Sequence, residues 1–142
     1  MPDLEQICCL HLAAAWGVML LGILWGMVMG LFFHKAEWLG GYDSWRRRLL
    51  RLGHIACFGI GLLNLLFIVT LILVALFKEV DLETSYRMVI QAGSLGWLTA
   101  LFTMPTVCAL SAWKKAFRHL FFIPVTASIL AISSTFYLTL LP

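Results

Sequence analysis

The sequence predicts an all-α polytopic membrane protein, a four-transmembrane-helix bundle with both termini on the non-cytoplasmic side. Four long apolar runs, Cys9–Phe33, Leu52–Phe77, Met88–Trp113 and Leu120–Leu141, fill about two thirds of the 142 residues. The composition is 62% hydrophobic and 12% charged, against roughly half and a quarter in soluble domains. Eight of the ten Lys and Arg residues fall in two of the connections. The chain reads as a single membrane domain over residues 1–142.

Each run has 22 to 26 residues. A helix rising about 1.5 Å per residue needs roughly 20 to cross a hydrocarbon core of about 30 Å, so all four are long enough to span. The runs lack the alternation of barrel strands, and in lipid only helices or closed barrels satisfy their own backbone. Asp3 and Glu5, rather than a basic segment, precede the first run, which is therefore expected to stay as a mature helix. Cys8, Cys9, Cys57 and Cys108 do not form a disulfide framework.

The first connection carries Lys35, Arg46, Arg47, Arg48 and Arg51, and the third carries Lys114, Lys115 and Arg118. By the positive-inside rule, loops 34–51 and 114–119 face the cytoplasm. The expected location is a bacterial inner membrane. The net charge of +3 then belongs to loops that meet anionic headgroups, and no nucleic-acid module is present. Trp38, Tyr42 and Trp45 fit an interfacial aromatic belt.

In the first run Gly22, Gly26 and Gly30 form a doubled G-x-x-x-G, which lets a helix or a flat cofactor approach closely. The second places Gly53, His54, Cys57, Gly61 and Asn64 within an arc of about 100°, making Gly61 and Asn64 packing candidates. The third gathers Gln91, Thr99, Thr103 and Thr106 beside a small ridge of Ala92, Gly96 and Ala100. The fourth aligns His119, Thr126, Ser133 and Tyr137. Each polar or small face is expected to point inward, because a lipid-facing hydroxyl lacks a partner. Pro105 and Pro124 are expected to bend their helices, with Thr103, Thr106 and Thr126 capping the freed carbonyls of Leu101 and Leu120.

Topology groups the histidines. His34, His54 and His119 all lie at the expected cytoplasmic boundary, and His11 lies near the opposite one. Imidazole ligates haem iron or relays protons, and an ionisable group in a membrane is a functional candidate by default. His54 and His119, on different helices at one depth, meet the requirements of a bis-imidazole haem. His11 with Met88 is a second candidate pair. Cys8, Cys9 and His11 supply soft-metal ligand types within four residues. No other metal site is expected.

Several short motifs resemble the small four-helix membrane proteins of the HemJ and CopD kind. They are Leu10-His11-Leu12 opening the first helix, Leu31-Phe32-Phe33-His34 closing it, the Arg-rich lead into the second, and Phe117-Arg118-His119 followed by Pro124. The resemblance implies a haem-binding membrane oxidoreductase with His11 as a ligand. Those haem-pathway oxidases carry a lysine and a histidine in helix three, and Met88–Trp113 has neither, which argues against protoporphyrinogen oxidation.

The leading expectation is thus a haem b-binding or redox-associated subunit in electron transfer. The first alternative is a non-catalytic packing or assembly subunit that joins other membrane subunits, or a homo-oligomer, through Gly22, Gly26 and Gly30. The second is a small-solute carrier or channel lined by Asn64, Gln91, Thr99, Thr103, Thr106 and Ser133.

Overall fold

The computed structural model describes residues 4–78 and 86–140. Its regular elements there are α1 (Leu4–Leu31), a 3-10 turn at Trp38–Gly40, α2 (Trp45–Lys78), α3 (Arg87–Trp113), a 3-10 stretch at Lys115–Phe121, and α4 (Phe122–Thr139). No strand occurs among the described residues. Four helical segments, Leu4–Leu31, Trp45–Phe77, Arg87–Trp113 and Lys115–Thr139, are long and apolar enough to cross a membrane.

Two element boundaries differ from the sequence reading. Helix α2 starts at Trp45 rather than Leu52. Its first turns are rich in Arg and Leu, both strong helix formers, so the helix continues through residues too charged for hydrocarbon. The fourth span opens as a 3-10 helix, and Pro124 sits in the first turn of α4. Proline has no N–H for the Leu120 carbonyl, so the preceding turn tightens, while Pro124 itself occupies a position that tolerates it. Pro105 alone lies inside a helix, α3.

Helices adjacent in sequence pack along one another, while α1–α3 and α2–α4 touch lightly. Contact between α1 and α4 is at most incidental. The bundle is therefore an open row with α2 and α3 at its centre. Its core is built from buried Phe67 and Leu71 of α2, Trp97, Ala100 and Leu101 of α3, and Ala131 and Leu138 of α4.

Small residues set the seams. A Cβ at Gly96 would lie 2.8 Å from the Ala127 carbonyl oxygen, so α3 and α4 touch backbone to backbone. Gly22 of α1 faces Cys57 and Phe58, and Gly61 of α2 receives Met19. Gly30 has nothing within 4 Å of its Cβ position. The stripe read as a slot for a porphyrin or a partner is thus filled at Gly22 and Gly26 by side chains of α2, and only Gly30 stays open.

The polar stripe of the last span is a correction. His119, Thr126, Ser133 and Tyr137 are exposed, whereas Pro124, Ala131, Ser134 and Leu138 are buried. A hydroxyl on a helix can bond its own turn and so need not face inward. Thr126 donates to the Phe122 carbonyl at 2.8 Å. Thr103 and Thr106 likewise donate to Thr99 and Phe102, at 2.6 Å each, rather than to the carbonyl freed by Pro105. Of the residues read as lining a solute path, Thr106 and Ser133 are turned outward and Asn64 is buried.

The first connection closes on a cation. Leu39 has φ 58° and Gly40 and Gly41 have φ 87° and 91°, a left-handed run that only glycine enters freely. It folds Trp38 and Tyr42 back over α2. Arg47, 4% exposed, lies 5.3 to 5.6 Å from the ring centres of Trp38, Phe33 and Tyr42 and donates to the Phe33 carbonyl. The rings offer the guanidinium negative faces in place of water.

Candidate functional site

Two histidines occupy organised sites, and the structure treats them differently. His11 is the eighth residue of α1 and is completely buried. Its Nδ1 is 2.7 Å from Asn64 Oδ1 of α2, and its Nε2 is 2.9 Å from Ser94 Oγ of α3. The Phe67 ring covers it at 5.1 Å between centroids.

The partners assign the tautomer. Asn64 Nδ2 donates to the Ile60 carbonyl at 2.9 Å and faces the Trp97 carbonyl at 3.5 Å. Asn64 Oδ1 is therefore an acceptor, which makes His11 Nδ1 the donor and leaves Nε2 to accept from the Ser94 hydroxyl. The network extends to α4, where Trp97 Nε1 donates to Thr135 at 3.0 Å. One polar junction thus joins all four helices.

A hydroxyl, an imidazole and an orienting amide in this order also describe an activated nucleophile. Here both ring nitrogens are engaged inside a closed interior, and the arrangement works as an interhelical clamp. It also leaves no nitrogen on His11 for haem iron. Met88, read as its partner, is exposed at 81%. Cys9 faces outward while His11 faces inward, so the soft-metal cluster does not converge. Among the described residues no three His, Cys, Asp or Glu side chains group around a common point.

His54 lies ten residues into α2, about 13 Å along it, rather than at its start. It is half-buried on the α1–α2 seam, with Nδ1 2.9 Å from the Gly22 carbonyl and its ring edge-on to Phe58 at 5.3 Å. Gly26 makes this fit, since a Cβ there would stand 2.6 Å from His54 Cε1. Nδ1 must donate to a carbonyl, which leaves Nε2 as the free acceptor. Beside the ring runs an open groove of about 320 Å³ lined by Gly26, Met29, Gly30, Phe33, Arg51 and Ile55.

His119 and His34 are exposed, the first on the 3-10 stretch and the second in the turn after α1. His54 packs against α1 while His119 stands outside at the α3–α4 corner, so the structure does not build a site from the pair. Sequence reading missed Ser94 and the Trp97–Thr135 bond. A serine and a tryptophan one turn apart carry no periodic signal, and only the packing of α3 on α1 and on α4 shows their use.

Sequence reading also missed a second ridge on α1. Cys9, Ala13 and Gly17, spaced by four, are all exposed, and nothing lies within 4 Å of a Cβ placed at Gly17. No protein-family model, curated protein or solved structure matches the chain.

Proposed function

We propose that the chain is a small integral membrane protein that serves as a non-catalytic packing or assembly subunit, docking a partner helix on α1. The observation that carries this reading is the exposed Cys9, Ala13, Gly17 ridge, a small-x-x-x-small surface that lets backbones approach closely in lipid. The open row supports it, because among the described residues no other helix covers the outer flank of α1. The partner is another membrane subunit or a second copy. The charge bias supports an orientation with the arginine-rich end in the cytoplasm and both termini outside, and the membrane proposed is a bacterial inner membrane.

Oxidative cross-linking at Cys9 in native membranes tests it, with Gly17→Leu as the disrupting change. A cross-linked partner that Gly17→Leu abolishes, at unchanged thermal stability, is the expected result. Association that survives both Ala13→Leu and Gly17→Leu removes α1 as the docking helix.

A second reading, a redox subunit carrying b-type haem, is favoured by His54. A carbonyl-oriented imidazole with a free Nε2 is the usual state of a metal-ligating histidine. His54 would be the ligand, with Met29 and Arg51 on the same groove. Bound haem would supply one-electron transfer. Protein purified from haem-replete cells is expected to show a Soret band that His54→Ala removes and His119→Ala spares, and colourless protein ends this reading.

A further inference from the structure

The lighter contact between α1 and α3 leaves a cleft floored by α2. It encloses about 510 Å³ and is apolar, with Leu21, Trp25 and Val28 on one wall and Phe102, Pro105 and Ala109 on the other. Its one hydroxyl, on Thr106, is given to the Phe102 carbonyl. Ala109 also borders a second cavity of about 360 Å³ at the arginine-rich end, lined by Leu39, Arg46, Leu50, Ala112 and Trp113. From Leu101 to Trp113 the wall rises about 18 Å, close to the depth of one leaflet, half of a core of about 30 Å.

The mouth is cationic. Arg46 is exposed and makes no ion pair among the described residues, in contrast to Arg48, which meets Asp43 at 3.5 Å. The Arg46 guanidinium and the Lys115 ammonium lie 5.6 and 5.5 Å from the centre of the same Trp45 ring. Arg46 lines the second cavity together with Trp113, and Lys115 of the 3-10 stretch shares the Trp45 ring with it, so two cations stand around one ring at the arginine-rich end.

We propose that this cleft binds a single anionic phospholipid, with an acyl chain against Trp25, Phe102 and Pro105 and the phosphate on Arg46 and Lys115. Charge complementarity selects the occupant. A membrane cleft of leaflet depth takes up a hydrocarbon chain from any lipid, whereas the two cations at its arginine-rich end favour a phosphate without a compensating ammonium. The site lies along the second half of α1, apart from the Cys9–Gly17 ridge, and does not depend on a partner docking there.

Native mass spectrometry of the full chain in nonionic detergent, offered phosphatidylglycerol and phosphatidylcholine of equal chain length, tests the site. Wild-type protein is expected to retain one phosphatidylglycerol. Arg46→Gln should cut the preference over phosphatidylcholine about fivefold, and Arg48→Gln should leave it intact. Ala109→Phe, at the residue that lines both cavities, should lower uptake of both lipids. Equal losses in Arg46→Gln and Arg48→Gln would mean diffuse attraction and overturn the site. So would wild-type protein that carries no lipid, or a lipid-free dimer that Ala109→Phe dissociates. Should Ala109→Phe misfold, the contrast between the two arginine variants still decides.

Discussion

His11 and His54 both sit on helix seams, yet one site is closed and the other open. At His11 two neighbouring helices contribute side chains that use both ring nitrogens, so the imidazole is spent on structure. At His54 a single backbone carbonyl uses one nitrogen, and the ring flanks a groove. Depth alone therefore does not mark a functional histidine in a membrane protein. What separates the two is how much of the hydrogen-bonding capacity the fold has already taken.

The contrast can be broken from either side. The largest effect is expected from Gly26→Leu, which drives a branched side chain into the His54 ring 2.6 Å away at a cost of about 1 to 3 kcal/mol. Gly30→Leu, with nothing within 4 Å, should leave unfolding in bicelles unchanged. Next comes Asn64→Leu, which strands the buried His11 N–H. Transmembrane hydrogen bonds average about 0.6 and reach about 1.7 kcal/mol, and the upper end is expected here because Asn64 also holds the Ile60 carbonyl. A double-mutant cycle with His11→Ala that returns no coupling would make the junction incidental.

His54→Ala loses one part-exposed bond and the ring's contacts with Gly26 and Phe58, and should still cost less than Asn64→Leu. If its loss matched that of Asn64→Leu, the two sites would be alike and the distinction between them would fall. Smallest of all, Thr126→Val removes a hydroxyl that serves only its own helix and should stay within about 0.5 kcal/mol. A larger loss would mean that the outward face of α4 is covered.

The spans were legible because hydrophobic run length answers directly to membrane thickness, and Gly22, Gly26 and Gly61 stand on the α1–α2 seam. Facing was less so. The stripe His119, Thr126, Ser133, Tyr137 has helical spacing but points outward, since Thr126 bonds its own turn and the α3–α4 seam is set by Gly96 against Ala127 and Ala131. The grouping of His54 with His119 failed for a related reason. Both lie at the arginine-rich end, but depth says nothing about which neighbours a helix has, and the open row leaves His119 outside. Asn64 was seen, while its partnership with His11 and Ser94 needed contacts spanning 53 and 83 residues.

The Arg47 latch bears on the order in which the molecule is made. Phe33, Trp38 and Tyr42 all lie within fourteen residues of Arg47, so closing the latch requires no part of the chain beyond α1 and the start of α2, and it is expected to form early. The His11 clamp must wait for Ser94. During that interval the latch holds the α1–α2 hairpin by its arginine-rich end while the buried imidazole seeks its last partner, and local closure precedes long-range closure, as loop entropy favours. An Arg47→Gln chain should therefore show its defect during biogenesis, as hairpins mis-inserted before α3 arrives, more than in the stability of the finished protein.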